Sequence, residues 1–178
     1  MKKLLLSVLA IAAFAFTNAQ NTGQTATGKW LIEANTGFGA VHPAQTSIQF
    51  AATDDTTVWN VGLEGGYFVI DNLAIKAGLG YGETKYDDGF FEGKSSSFSY
   101  KIGAKYYAAG VVPVQLDFSG TSIEDVEDDP SYIGFQAGYA WFLGDNVSIE
   151  PGVRYNLATD SDLYQNVLEF NLGFALHF

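Results

Sequence analysis

Apolar side chains occupy every second position at the C-terminal end of the chain: Leu168, Phe170, Leu172, Phe174, Leu176 and Phe178. Glu169, Asn171, Gly173, Ala175 and His177 fill the positions between. A β-strand sends successive side chains to opposite faces, so this pattern predicts a strand with one bulky apolar face and one small or polar face. The same period of two predicts eight strands, at roughly 28–39, 57–69, 73–83, 97–107, 112–120, 132–142, 147–157 and 166–178. In the first, Trp30, Ile32, Ala34, Thr36 and Phe38 oppose Leu31, Glu33, Asn35 and Gly37. In the second, Trp59, Val61, Leu63, Tyr67 and Val69 oppose Asn60, Gly62, Glu64 and Gly66. In the fourth, Phe98, Tyr100, Ile102, Ala104 and Tyr106 oppose Ser99, Lys101, Gly103 and Lys105.

The connections come in two lengths. Ile70-Asp71-Asn72, Ala108 to Val111 and Leu143-Gly144-Asp145-Asn146 are tight, and the connections after the first, third, fifth and seventh strands are longer, polar and acidic. Short turns alternating with long loops predict an all-β fold, an eight-stranded antiparallel up-and-down transmembrane β-barrel with periplasmic turns and extracellular loops. In that topology Trp30, Tyr67, Tyr106, Trp141 and Phe178 fall near the periplasmic ends of their strands. Phe38, Trp59, Tyr81, Phe98, Phe118 and Tyr155 fall near the outer ends, so the apolar face carries two aromatic girdles. The rival is a soluble barrel, which would turn its apolar face inward and its polar face to water. Eight strands enclose too little volume for so bulky a face, and the opposite face is rich in glycine and charge.

The N-terminus adds a compartment. Lys2 and Lys3, the apolar run from Leu4 to Phe16, and Thr17-Asn18-Ala19 before Gln20 predict a secretory signal peptide over 1–19 and a barrel domain over 20–178. A membrane anchor is the alternative, but an ordinary spanning helix needs about 20 apolar residues. No cysteine follows the apolar run, which excludes a lipoprotein signal. The chain has 9 basic and 20 acidic residues, for a formal net charge of −11. Such a balance argues against nucleic acid as a partner.

The run Tyr67-Phe68-Val69-Ile70-Asp71-Asn72-Leu73-Ala74-Ile75-Lys76-Ala77-Gly78-Leu79-Gly80-Tyr81 resembles the hairpin of the small outer-membrane protein β-barrel domain family. Val153 to Tyr155 and the terminal strand strengthen the likeness, which extends over the mature chain and is similar to OmpX, the OmpA barrel and OmpW. Phe170, Leu172, Phe174, Leu176 and the terminal Phe178 resemble the C-terminal assembly signal of such barrels. The resemblance implies a bacterial outer-membrane location among outer-membrane lipids. It also implies periplasmic chaperones and the barrel assembly machinery as partners in biogenesis. It brings no catalytic residues and no cofactor.

The predicted lumen holds Glu33, Glu64, Lys76, Lys101, Lys105, Asp117, Glu150, Arg154 and Glu169, with Asn35, Asn60, Gln115, Gln136, Asn156 and Asn171. Unpaired buried charge is expensive, so acids and bases in such proximity predict a network of ion pairs. Two readings follow: a plug of cross-braced side chains serving a scaffold, or a polar conduit for ions or small solutes, with Lys101 and Lys105 as its electrostatic determinants. A carrier for hydrophobic molecules belongs with the second reading.

The predicted outer loops are acidic, with Glu124-Asp125-Val126-Glu127-Asp128-Asp129 densest and Asp54-Asp55, Asp87-Asp88, Asp160 and Asp162 beside it. They read as a solvated rim for surface interactions or as ligands for hard divalent cations. The run lacks the spaced pattern of a calcium loop, so no metal site is assigned. Phe90 and Phe91 add aromatics next to this charge. An outer-membrane lipid-modifying enzyme is a remote third class. His42 near Ser47 is its candidate pair but matches no hydrolase motif, and His177 reads as part of the barrel floor.

Overall fold

The computed structural model describes residues 23–38, 46–87, 89, 92–124, 126 and 128–178. The predicted signal segment, His42, Phe90 and Phe91 lie outside the described residues. The strands are β1 (Trp30–Phe38), β2 (Gln49–Ala52), β3 (Thr56–Ile70), β4 (Leu73–Asp87), β5 (Glu92–Ala108), β6 (Val112–Ile123), β7 (Ser131–Gly138), β8 (Trp141–Phe142), β9 (Val147–Ala158) and β10 (Val167–His177). They pair antiparallel in the order β1-β10-β9-β7-β6-β5-β4-β3, and β1 returns to pair with β3. Short β2 lies on β3, and β8 continues the line of β7 against β9. The result is a closed, eight-stave antiparallel barrel.

Burial along the staves is the reverse of a soluble barrel. Leu63, Leu79, Ile102 and Leu116 are more than half exposed, while Glu33, Glu64 and Lys105 are at most 1% exposed. Apolar patches that continue around a whole barrel cannot face water, but they match a bilayer. No helix among the described residues is long and apolar enough to cross a membrane. In a β-barrel the strands do so, because ring closure satisfies every backbone group within the wall.

Three features depart from the sequence expectation. First, β4 runs to Asp87 and β5 starts at Glu92, so most of the loop predicted after the third strand is a paired hairpin standing above the aromatic Tyr81↔Phe98 pair. Thr84 and Tyr86 suit strands, but Ser95 to Ser97 have no such preference and the stretch carries no apolar alternation. Second, the predicted strand 132–142 is interrupted between β7 and β8, opposite Pro151 of β9. Tyr139 N still donates to Pro151 O at 3.0 Å, but proline has no N–H to return the bond, so the ladder breaks here, and Ala140 N donates to Val111 O at 2.7 Å. Third, the first predicted loop returns into the wall. Ser47 bridges Asn35 in parallel, and β2 ladders on β3.

The turns at the opposite end are tight. Ala109 and Gly110 both have positive φ, 51° and 74°, and Val111 N bonds Ala108 O at 3.2 Å. This is the type I′ geometry that matches strand twist. At the Asp71-Asn72 turn, Asn72 takes a φ of 67°, beside a bulge in the β3–β4 register between Phe68 and Ile70.

Candidate functional site

The lumen is the place where chemistry is concentrated. Its polar side chains come from inward positions of β1, β3, β4, β5, β6, β7, β9 and β10, which alternate with the exposed apolar ones. Lys101 Nζ lies 2.7 Å from Glu64 Oε1, and Glu64 Oε2 lies 2.8 Å from Lys76 Nζ. Lys76 reaches Glu33 Oε2 at 2.7 Å, which Lys105 Nζ also meets at 2.6 Å. Lys105 then donates to Glu150 Oε2 at 2.5 Å. Tyr107 Oη and Ser148 Oγ donate to Glu150 Oε1 at 2.9 and 2.8 Å. A chain of alternating charge thus crosses the interior from β5 to β9.

A second branch joins it through Gln115. That side chain accepts from Lys76 Nζ at 2.9 Å and donates to Asp117 Oδ2 at 2.7 Å. Asp117 receives Arg154 Nη1 and Nη2 at 2.7 and 2.6 Å, and Arg154 Nε bonds Asn156 Oδ1 at 2.8 Å. Asn156 donates to Glu169 Oε1 at 3.1 Å, and Asn35 donates to Glu33 Oε1 at 2.9 Å. All nine lumen residues singled out by sequence are therefore brought into one connected, buried system. Bidentate geometry and shared carboxylates offset the desolvation that burying so many charges costs. Inward glycines leave room for it: a Cβ at Gly103 would collide with Asp117, and one at Gly134 with the Arg154 guanidinium.

Below this system lies an aromatic floor. Leu31, Phe68 and Tyr107 are fully buried at the turn end, with Ala74, Ala140 and Ala175, and Phe142 packs against them. The His177 ring is 5.2 Å from Phe142, 5.8 Å from Tyr107 and 6.1 Å from Phe68, centroid to centroid. Ser148 Oγ is 3.0 Å from His177 Nε2. Sequence reasoning placed His177 here but missed the rest. Leu31, Phe68 and Tyr107 are large apolar residues at inward parity next to turns, which is the signal that could have found them.

A strap crosses the same mouth. Thr25 Oγ1 donates to Asn72 Oδ1 at 2.5 Å, and Asn72 N bonds Thr25 O at 2.8 Å. Gln24 Nε2 reaches Gly144 O on a second turn at 3.2 Å, with both Gln24 and Thr25 buried. Thr27 donates from its hydroxyl and its N–H to Asp71 Oδ1 at 2.7 and 2.8 Å. Those bonds hold the Asp71 carboxyl below its ordinary pKa, the hydroxyl contributing most.

Of the girdle residues, Trp30, Tyr67, Tyr106, Trp141 and Phe178 are exposed at the turn end, and Trp30 and Tyr67 meet edge to face at 5.0 Å. Tyr81, Phe98, Phe118 and Tyr155 are exposed toward the loop end, and the half-buried Trp59 lies 5.9 Å from Tyr81. Phe38 pairs with Phe170 in the backbone register. Phe170, Leu172, Phe174 and Leu176 face outward on β10, Phe178 just beyond it is exposed too, and Phe178 N and O bond Trp30 O and N at 3.0 and 2.6 Å where the barrel closes.

At the loop end, Glu83 is shared by Lys94 at 2.5 Å and Lys85 at 3.3 Å. The Lys94 hydrogen bond holds the Glu83 carboxyl below its usual range and raises the pKa of Lys94 in return. Asp54, Asp55, Asp87, Glu124, Asp128, Asp129, Asp160 and Asp162 are exposed. Among the described residues no group of three or more acids and histidines is arranged to hold a metal ion. Ser47 lies in the wall beside Asn35.

No family model and no curated protein matches the chain. Solved structures do. The outer membrane protein OprG from Pseudomonas aeruginosa matches with a TM-score of 0.52 at 12% identity, over 88% of this chain and 98% of that one. The Yersinia pestis outer membrane protein Ail, in a phospholipid bilayer nanodisc, matches with a TM-score of 0.51 at 14% identity, over 85% and 99%. At such identity the likeness is one of fold: this chain has the architecture of small outer-membrane β-barrels.

Proposed function

We propose that the protein is an integral outer-membrane β-barrel whose lumen is sealed, so that it serves as a membrane scaffold presenting acidic loops at the cell surface. One observation carries the reading: the interior is crossed by a continuous chain of paired charges, from Lys101 to Glu150, lying on an aromatic floor. In a barrel this narrow, side chains fill the cross-section, and a solute would have to break several buried ion pairs to pass. The outward Phe170 to Phe178 series supports recognition by the assembly machinery, after export on the predicted signal peptide and escort by periplasmic chaperones. The exposed carboxylates support a solvated rim, and loops held on a rigid body are where barrels place recognition.

Planar-bilayer recording of the refolded protein, wild type beside Lys105→Glu, tests this. A silent wild-type barrel is expected. Discrete wild-type openings whose ion selectivity shifts in the variant would make the lumen a pathway and overturn the sealed reading.

A further inference from the structure

Among the described residues the wall is irregular beside β1. At mid-height most outward positions carry large side chains, such as Leu63, Leu79, Ile102, Leu116 and Phe135. On β1 the corresponding positions are Ala34 and Thr36, paired with Phe174 and Leu172 of β10. On its other side β1 pairs with β3 only from Trp30↔Tyr67 to Glu33↔Glu64, and then the two strands part.

The returning segment fills the gap. Thr46 is fully buried and donates to Glu64 Oε1 at 2.7 Å, Asn60 Nδ2 donates to Ser47 O at 2.5 Å, and Ile48 N bonds Asn35 O at 2.8 Å. Ile48 itself turns outward and is 51% exposed. A groove results, with Ile48 on one side and Ile149, Leu172 and Phe174 on the other. Ala34, Asn35, Thr36 and Gly173 complete a cavity of about 330 Å³.

The groove lies within β1 between Trp30 at the turn end and Phe38 at the loop end, in the stretch that faces hydrocarbon. Water could fill such a volume with about ten molecules at ~30 Å³ each, but a water needs two to four polar partners and this lining is almost wholly apolar. Leaving it empty forfeits the dispersion contacts of every lining atom. We propose that this groove binds one acyl chain of a membrane lipid, laid along Ala34 and Thr36 between Ile48 and Phe174. The inference rests on the bilayer-spanning reading. Shape distinguishes the site from ordinary lipid contact: the chain is held from two sides rather than resting on a convex wall.

The test is native mass spectrometry of the protein released in mild detergent from dimyristoylphosphatidylcholine nanodiscs. Wild type is expected to retain one lipid. Ala34→Phe fills the floor and is expected to lower the lipid-bound fraction about tenfold, the effect of roughly 1.4 kcal/mol of lost contact. Ala77→Phe, the same change at an exposed position of β4, is expected to leave it unchanged. Thr36→Leu is the second filling variant. A wild-type reading that needs no variant is broadening of the Ala34 and Thr36 amide signals, beyond that of Ala77, by a lipid carrying a nitroxide at mid-chain. Lipid-free wild type, equal retention in both phenylalanine variants, uniform broadening, or a dimer in place of the lipid adduct would each overturn the proposal. Flotation of the protein with vesicles separates the readings: a barrel that floats yet is lipid-free loses the groove alone, and one that does not float loses the membrane reading.

Discussion

Arg154 of β9 grips Asp117 of β6 through two parallel hydrogen bonds of 2.7 and 2.6 Å, passing over Gly134 of the strand between them. Only a residue without a Cβ leaves the guanidinium that path. Arg154→Met strands the Asp117 carboxylate in the lumen and is expected to cost about 3–5 kcal/mol, the penalty for breaking a buried pair from one side. Gly134→Ala forces the same pair apart sterically and should cost about 1–3 kcal/mol. Asp117→Leu added to Arg154→Met should recover part of the loss, since the stranded Asp117 carboxylate is then gone, although Glu169, 3.5 Å from Arg154 Nε, still loses that partner. Urea unfolding of the vesicle-inserted barrel, followed by tryptophan fluorescence, measures all three.

Ala109 is a misfit in its turn. With φ at 51° it occupies the left-handed region, where an L residue other than glycine or asparagine is penalised. Asn-Gly is the preferred pair for a type I′ turn, and Gly110 is already in place. Ala109→Asn is therefore expected to stabilise the barrel by about 1 kcal/mol. The same unfolding experiment would show the midpoint rising without a change in slope, because the surface exposed on unfolding is unaltered.

Which residues face inward was legible from alternation alone, because lipid-facing and lumen-facing positions keep the same period as any strand. Partner choice was not. Lys105 meets Glu33 of β1 and Glu150 of β9, residues distant in sequence that only barrel closure brings together. The extension of β4 and β5 was hidden because Thr84, Lys85, Lys94 and Ser95 pair across strands with no apolar stripe to announce it. The stretch Thr46 to Ala52 does alternate weakly, with Ile48 and Phe50 outward. What it lacks is any local mark of the gap between β1 and β3 that it fills. The floor escaped notice for a related reason, since Phe68 and Tyr107 each look like one apolar residue beside a turn.

The strap at the turn end responds to acid. Thr27 stabilises the ionised form of Asp71, so the folded-state pKa lies below the unfolded value of about 3.9. The contribution of the clamp is complete above that unfolded value and disappears as pH falls through the lower folded value. Hydrogen-exchange protection of the Thr27 amide should thus be constant from neutral pH to about pH 4, after correction for the intrinsic rate, and fall only in stronger acid. Asp71→Asn should show reduced protection at every pH in that range.

Depth along the wall supplies a sharp test of the two faces. Leu79 is 60% exposed at mid-height on β4, whereas Phe50 is 75% exposed and pairs with Trp59 near the loop end. If the apolar face meets lipid, an arginine costs about 2–4 kcal/mol at the midplane and about 0–1 kcal/mol near the interface, where the side chain reaches water. Leu79→Arg should therefore destabilise the inserted barrel strongly and Phe50→Arg hardly at all, as read by urea titration in vesicles. A barrel whose apolar face met water would gain solubility from either change and lose little stability from both. Equal, small effects of the two arginines would thus contradict the assignment of faces on which the membrane reading, the sealed lumen and the acyl-chain groove all depend.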